Sequence, residues 1–181
     1  VPVPVLFAGL LNHHGQLGPA EVPAKRNWML RNVLRKAADL GIPLNPPHTH
    51  PFNPLLALRA SGSDLPPAKQ TALVTALFRA AWEHGRDMAA VETVRAAAEE
   101  AECEPEALLA HARSAEGKQR LRSHTEQAIR EGVFGVPAML AEGELFWGYD
   151  ELVMMERHLD GDAPQIGDLG GWTAVRPAAV R

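Results

Sequence analysis

The stretch Gly132–Asp150, with the sequence GVFGVPAMLAEGELFWGYD, decides the fold of this chain. Its apolar residues fall in two short runs, Val136–Ala141 and Glu144–Trp147, and Glu142-Gly143 separates them. Short apolar runs bounded by glycine are typical of strands, and a pair ending in glycine suits the tight turn of a hairpin. The stretch therefore predicts two antiparallel strands.

A helix is expected directly after the hairpin, because Leu152, Met155 and Leu159 recur at helical spacing. Asp150 precedes them and is of a residue type that accepts hydrogen bonds from unpaired backbone N–H groups, so we expect it to be the N-cap. The residues after Gly161 are rich in Gly, Ala and Pro, and we expect an irregular tail there.

Upstream of the hairpin, residues 54–132 carry helical patterns. Proline in a first turn and Ser or Asp at a cap indicate the helix starts. The predicted helices begin at Pro54, after Ser63-Asp64 with Pro66 and Pro67, after Asp87, at Glu106 and after Ser114. The residues expected to face inward are Leu73, Leu77, Ala80, Ala81, Val91, Val94, Ala98, Leu121, Ala128 and Ile129.

The first forty residues predict one strand and one long helix. Val3–Phe7 contains β-branched and aromatic residues and indicates a buried strand. A Gly- and His-containing loop, Gly9–Pro19, follows. Beyond Pro23 the sequence predicts a helix that ends before Gly41 and Pro43. Its apolar stripe is formed by Met29, Val33, Ala37 and Leu40.

This order of elements places a helical block inside a small α/β unit. A lone strand and a distant hairpin have little stability unless they share a sheet, so the block is best explained as an insertion. The predicted division is residues 1–41 for the first α/β part, 42–131 for the helical insertion, 132–160 for the second α/β part, and 161–181 for the tail.

Composition excludes two classes of partner. The formal net charge of −4 argues against a nucleic-acid binder, which normally has a basic face. No apolar segment approaches the roughly 18 residues of a membrane span. Cys103 is the single cysteine, so an internal disulfide is impossible, and we expect a reducing, cytoplasmic location.

Four motifs carry a resemblance to a known family. The stretches GVFGVP at 132–137 and FWGYD at 146–150 resemble the C-terminal half of a DsbA-like thioredoxin domain. PAEVPAKR at 19–26 and FNPLLALRA at 52–60 are similar to 2-hydroxychromene-2-carboxylate isomerases and the related kappa-class glutathione transferases. The resemblance extends over nearly the whole chain, up to about Leu159.

The resemblance implies a thioredoxin-like sheet, whose first strand and helix are expected before Val1. At that place the isomerases and kappa-class enzymes carry a serine that hydrogen-bonds the glutathione thiolate, and DsbA-like oxidoreductases carry Cys-x-x-Cys. The catalytic residue is therefore expected outside this sequence. The resemblance further implies glutathione as cofactor, a small aromatic substrate and a homodimer.

Val136 and Pro137 are the first candidate site residues. A proline that follows a glycine turn and opens a strand is a candidate for a cis bond, which would turn the backbone of Val136 outward. From the residues alone, a trans proline that starts an edge strand is commoner. The resemblance favours the first alternative, with the Val136 backbone bound to glutathione.

Four further glutathione contacts are implied by the resemblance. Asp150 would hold the amino group of the γ-glutamyl arm, since a carboxylate is a suitable partner for an ammonium group. Tyr149 occupies the position of a small hydroxyl residue in kappa-class enzymes. Lys25 would pair with the glycyl carboxylate, and Gln16 would offer an amide. The two charged residues also have purely structural interpretations: Asp150 as a helix cap, and Lys25 as a solvated side chain.

Asn53 and Trp147 are the candidates for substrate binding. Asn53 is about equally well explained as an Asx turn or helix cap. Trp147, like Trp28, is expected to be a core or pocket-wall aromatic rather than a reactive group.

No metal site is predicted. His48 and His50 form a His-x-His pair, but they lie in a proline-rich loop without a third ligand at a familiar spacing. Cys103 is flanked by acidic residues, which disfavour a reactive thiolate, and is expected to be inert.

The leading hypothesis is a glutathione-dependent cis–trans isomerase of 2-hydroxychromene-2-carboxylate or a similar intermediate of aromatic degradation. The alternatives are a DsbA-like thiol-disulfide oxidoreductase, a transferase like the kappa class, and a ligand-binding relative without catalysis.

Overall fold

The computed structural model describes residues 1–164 and 166–175. The chain divides into two compact units, Val1–Gly135 and the residues from Val136 onward. The first unit contains the helices α1 to α7 and the 3-10 helix Pro19–Glu21. The bounds of these helices are α1 Phe7–His14, α2 Pro23–Asp39, α3 Leu55–Ser61, α4 Pro67–Trp82, α5 Val91–Glu100, α6 Pro105–Arg113 and α7 Ala115–Arg130. The division into three parts and a tail predicted from the sequence stays a prediction.

The core of the first unit lies among α3, α4, α5 and α6. Leu73, Val94 and Leu109 are almost completely shielded from solvent, and they are surrounded by alanines that let the helices approach closely. The buried faces agree with the predicted periodicity of the sequence. The predicted inward residues of α4 are all buried, as are Val94, Ala98, Leu121 and Ala128, whereas Val91 and Ile129 are half-buried.

The junction between α6 and α7 is closely packed. Ser114 ends α6 and caps α7, where its Oγ accepts a hydrogen bond from the Gly117 backbone N–H at 2.9 Å, as predicted. Gly117 lies directly against the His111 carbonyl, and a Cβ atom at this position would overlap that oxygen. The close approach therefore requires glycine.

The predicted strand Val3–Phe7 is wrong. Residues 1–6 are irregular, and Phe7 begins α1. The physical reason is that Pro2 and Pro4 lack backbone N–H groups, so the segment cannot donate regularly to a neighbouring strand. The N–H of Leu6 donates to the Thr125 Oγ1 of α7 instead, at 2.9 Å.

The predicted loop Gly9–Pro19 is also partly wrong, because its first half belongs to α1. Leu10 is fully buried, and a Cβ at Gly9 would come within 3.1 Å of Thr125 Cγ2. Contact with α7, 119 residues away along the chain, thus stabilises a helix that the local pattern does not indicate.

The long helix α2 follows the prediction in its bounds. Its apolar stripe, however, has little to pack on: Ala37 is buried, whereas Leu30, Val33 and Leu34 are exposed. In the first unit α2 contacts mainly the 3-10 helix that precedes it.

The second unit contains the predicted hairpin. Strand β1, Ala138–Ala141, pairs antiparallel with β2, Glu144–Trp147, and Met139 lies opposite Phe146. Glu142 and Gly143 both have positive φ, 50° and 87°, which is the geometry of a tight two-residue hairpin turn. The 3-10 helix Tyr149–Glu151, the helix α8 Leu152–Leu159 and the short α9 Gly170–Thr173 follow. The predicted irregular tail is thus interrupted by α9, while residues 165 and 176–181 lie outside the described residues.

Two predicted helix caps are wrong. Asp87 does not cap α5, whose N-cap is Ala90; its Oδ1 accepts from the Ala89 N–H at 2.9 Å, and so forms a turn before the helix. Asp150 lies inside the 3-10 helix, and the residue at the N-cap of α8 is Glu151. Both aspartates come too early because a further turn of chain intervenes before the helix begins.

Candidate functional site

The predicted site residues fall into two groups that belong to different compact units of the chain. The first unit contains Gln16, Lys25 and Asn53. The second unit contains Val136, Pro137, Trp147, Tyr149 and Asp150.

The residues of the second unit are brought together by the hairpin. The Gly148 N–H donates to the Pro137 carbonyl at 2.9 Å, and Ala138 pairs with Trp147. The start of β1 therefore lies beside the end of β2 and the 3-10 helix that carries Asp150. The peptide bond between Val136 and Pro137 is cis.

Val136 lies in the bend directly before strand β1. Neither its N–H nor its carbonyl makes a hydrogen bond to the residues that the structure describes, and the residue is 41% exposed. Backbone groups of this kind bind an extended peptide through a short ladder of hydrogen bonds. The geometry is therefore suited to a peptide-like ligand.

Trp147 and Tyr149 give this region an aromatic surface. Both are about half exposed, at 51% and 48%. In the alternation of β2, Trp147 lies on the face opposite to Phe146, which is buried and has its ring centroid 5.4 Å from that of His158 in α8. Trp147 thus belongs to the exposed sheet face and not to the core of its unit, and can offer its ring to an apolar ligand.

In the first unit, α1 is fixed at both ends. Its start is tied to Thr125 of α7 through the Leu6 N–H, and at its end the His14 Nε2 lies 3.2 Å from the Val133 carbonyl. Gln16 follows directly: its N–H donates to the Leu11 carbonyl at 2.9 Å and so closes the helix beyond Gly15. The backbone of Gln16 has a structural role, while the residue itself is exposed.

Lys25 lies in the first turn of α2 and is exposed. It forms no ion pair or hydrogen bond with another described residue. Just before this helix, the Glu21 carboxylate accepts a hydrogen bond from the Gly18 N–H at 2.6 Å. Lys25 can therefore bind a carboxylate without first breaking an internal ion pair.

Asn53 has the structural role that the sequence left open. Its Oδ1 accepts from the Leu55 N–H at 3.1 Å, which is an Asx turn at the start of α3. Its amide NH2 group makes no hydrogen bond to the described residues, so one half of the side chain can still contact a ligand.

A cavity of about 320 Å³ lies between α1, α3 and α7, and sequence reasoning did not find it. Arg59 of α3 lines it, together with Lys118 and Arg122 of α7. The local signal was present, since Arg59 is the single charged residue in the otherwise apolar helix Leu55–Ser61.

The clear pKa shifts lie elsewhere on the surface. A hydrogen bond from Arg79 lowers the pKa of Glu83, and the same bond raises the pKa of Arg79. A hydrogen bond to Glu106 raises the pKa of Arg95. Each of these three groups belongs to an ion pair on a solvated helix face, and all three are remote in sequence from the predicted site residues.

Within residues 1–164 and 166–175 no group of three His, Cys, Asp or Glu side chains could hold a metal ion. Cys103 is a free, half-buried thiol whose Sγ lies 3.6 Å from the Ala101 carbonyl. In the same part of the chain, every helix is too short or too polar to cross a bilayer.

Comparison with known proteins agrees with this architecture. Residues 3–160 match the model of the family described as "DSBA-like thioredoxin domain". The chain is 33% identical over 149 residues to a 2-hydroxychromene-2-carboxylate isomerase of Sphingobium xenophagum, an alignment that covers 80% of this chain and 74% of that protein. It is 27% identical over 158 residues to a protein of the same name from Pseudomonas putida, covering 86% and 76%.

A solved structure of a 2-hydroxychromene-2-carboxylate isomerase superposes with a TM-score of 0.79 at 26% sequence identity. The match covers 87% of this chain and 77% of that one.

Proposed function

Because the chain belongs to the family of DsbA-like thioredoxin domains, we propose that it acts within that fold as an isomerase of 2-hydroxychromene-2-carboxylate or a similar aromatic acid. The observation that carries the proposal is the 33% identity to an isomerase of that name, over 80% of the chain. The thioredoxin-like fold is common to this chain and a solved isomerase of the same name.

We further propose glutathione as the cofactor, and three observations support its fit. Val136 is 41% exposed and its backbone lacks hydrogen-bond partners among the described residues, which suits the peptide part of glutathione. Lys25 is an exposed cation that forms no ion pair with the described residues, which suits its glycyl carboxylate. Asp150 is an exposed carboxylate beside the same hairpin, which suits its ammonium group.

Bound glutathione would supply a thiolate nucleophile for the isomerisation. The roles of this chain's residues are binding and orientation: in the second unit Asp150 would fix the ammonium end of the tripeptide, and Val136 its central peptide units. Fixing a nucleophile in this way replaces a bimolecular encounter by a positioned reaction. Trp147 would present an apolar wall to the aromatic substrate.

The first experiment measures isomerisation of 2-hydroxychromene-2-carboxylate by its ultraviolet absorbance, with and without reduced glutathione. We expect turnover by the full-length protein that depends on both the protein and glutathione. Conjugation of an electrophilic arene without isomerisation would instead support the transferase alternative, and disulfide exchange would support the oxidoreductase. Thermal shift with glutathione alone distinguishes a binding protein without catalysis.

The variant Lys25→Met tests the cofactor contact. Loss of one hydrogen bond to a charged group corresponds to roughly a tenfold to hundredfold rise in the KM for glutathione, with the substrate KM unchanged. Arg35→Met is the matched control, since it removes a charge from the same helix further along. Equal KM values for Lys25→Met and the unchanged protein would contradict the assigned contact.

A homodimer and a cytoplasmic location complete the proposal. The dimer is measured by sedimentation velocity of the purified chain, where a single species at monomer mass would refute it. The location is supported by the cysteine usage, since one free thiol suits a reducing compartment.

A further inference from the structure

The cavity between α1, α3 and α7 has the size of a small-molecule site. Its volume of about 320 Å³ lies at the lower end of the range of about 300 to 1,000 Å³ that such sites occupy. Three separate helices contribute its walls, so the relative positions of the lining residues are set by helix packing and not by a flexible loop.

The walls of the cavity are apolar. Leucine and isoleucine side chains from all three segments line it: Leu6, Leu55, Leu121 and Ile129. The side of α1 is formed by Gly9, which places backbone instead of a bulky side chain at the cavity surface. The polar Thr125 hydroxyl is already used, since it accepts from the Leu6 N–H and donates to the Leu121 carbonyl at 2.8 Å. A ligand that fills this space is therefore mainly hydrocarbon or aromatic.

The charges at the cavity are mostly positive. Arg59, Lys118 and Arg122 line it with a single carboxylate, Glu126. That carboxylate lies 3.4 Å from the Arg122 guanidinium, one turn away on α7, and so is engaged by a neighbour. The lining thus has a net charge of plus two, which favours an anionic ligand.

Arg59 is the residue that makes the cavity specific. Its Nε is shielded from solvent and has no hydrogen-bond partner within the described residues. A buried N–H without an acceptor is destabilising, because the group has lost its hydrogen bond to water and forms none with the protein. A carboxylate bound in the cavity would be an acceptor for the guanidinium of Arg59, and arginine binds carboxylates through two parallel hydrogen bonds.

We infer that this cavity binds an aromatic carboxylate and that Arg59 holds its carboxylate group. An open cavity with apolar walls, a half-buried arginine and a positive net charge matches a ligand that has a flat apolar body and a negative charge. The inference rests on the proposed function in one respect: the ligand class is that of the proposed substrate, and Arg59 would be its anchor.

The test uses 2-naphthoate as the probe, with binding measured by calorimetry on the full chain. We expect saturable binding, and weaker binding of the neutral 2-naphthamide. Arg59→Met should weaken 2-naphthoate binding about tenfold to a hundredfold, as for loss of a charge-assisted hydrogen bond. Arg59→Lys should recover part of the affinity for 2-naphthoate, because lysine restores the positive charge but not the planar guanidinium group. Arg113→Met, an exposed arginine near the end of α6, is the control of equal charge and should bind like the unchanged protein.

A measurement without variants keeps the inference testable if Arg59→Met fails to fold. In NMR spectra of the backbone amides of the unchanged protein, 2-naphthoate should shift the signals of Leu6, Gly9 and Thr125 most. Equal affinity of Arg59→Met, or shifts centred on another part of the chain, would overturn the site.

The isomerase assay separates this inference from the proposed function. If turnover is found and 2-naphthoate inhibits it competitively only while Arg59 is present, both stand. If turnover is found and 2-naphthoate bound at Arg59 does not compete, the cavity is a carboxylate site but not the substrate site, and the role of Arg59 as anchor of the substrate is overturned. If turnover is absent while 2-naphthoate still binds at Arg59, the proposed function fails and the cavity remains a carboxylate site.

Discussion

Helices α2 and α4 have similar length and similar sequence patterns, yet they have opposite surroundings. Both begin with proline and both carry an apolar stripe at helical spacing. In α4 the stripe is buried against α3 and α5, with Leu73 at 0% exposure, whereas in α2 only Ala37 is buried and Leu34 is 55% exposed. The comparison shows that an amphipathic pattern specifies a helix, while the stability it confers depends on what the apolar face contacts.

The sharpest test of this comparison is one substitution made in both helices. Leu73→Ala removes a fully buried side chain and should lower the free energy of unfolding by about 2 to 5 kcal/mol, because it leaves a cavity. Leu34→Ala makes the same chemical change on the exposed stripe of α2 and should change the free energy of unfolding by no more than about 0.5 kcal/mol. Urea unfolding followed by circular dichroism measures both. Equal losses would mean that α2 is covered in solution and would break the comparison.

The next effect concerns close packing in the helical body that contains α4. Gly117→Ala would force a Cβ into the His111 carbonyl and should cost about 1 to 3 kcal/mol, as overpacking does. Gly167→Ala is the control, since a Cβ there meets open space. A Gly117→Ala protein as stable as the unchanged chain would show that α6 and α7 can separate without cost.

A smaller effect is expected at the cap of α7. Ser114→Ala removes the acceptor of the Gly117 N–H and should cost about 1 kcal/mol. Ser123→Ala, an exposed position within the same helix, should be within about 0.5 kcal/mol of the unchanged protein. Thermal unfolding distinguishes the two. If both serines behaved alike, the cap would be irrelevant to stability.

The smallest effect belongs to the solvated face of α4. Arg79 lies 2.8 Å from Glu83 and lowers the pKa of that carboxyl below its usual 4.5, chiefly through their hydrogen bond. A lowered folded-state pKa contributes stability above the unfolded pKa, and this contribution is lost as the pH falls through the folded value. The stability difference between Glu83→Gln and the unchanged protein should therefore be present at neutral pH and vanish in acid. Glu99→Gln is the control, and a difference independent of pH would contradict the ion pair.

Much of this fold could be predicted because its elements are specified locally. The hairpin follows from short apolar runs around Glu142-Gly143, and α7 follows from Ser114 and its helical periodicity. The wrong strand at Val3–Phe7 has a different origin. Residues 3–7 have strand propensity, but Pro2 and Pro4 remove donors, and α1 is stabilised by Thr125, which no local window contains.

The candidate site shows the same limit. The resemblance identified Val136 and Lys25 as candidates, and their exposure agrees with a binding role. The sequence could not choose between two roles for Asn53, because an Asx turn and a substrate contact use the same residue type. Arg59 was overlooked since nothing in a linear sequence shows that its Nε becomes shielded between three helices.

The attachment of α1 has a consequence for the folding of the protein during its synthesis. Both of its polar ties, from Leu6 to Thr125 and from His14 to Val133, join residues 119 positions apart. A ribosome that adds about 5 to 20 residues per second needs roughly 6 to 24 seconds to make that length of chain. During this interval the nascent α1 exists without the partners that make it a helix, and its apolar Leu10 is open to chaperones until α7 emerges.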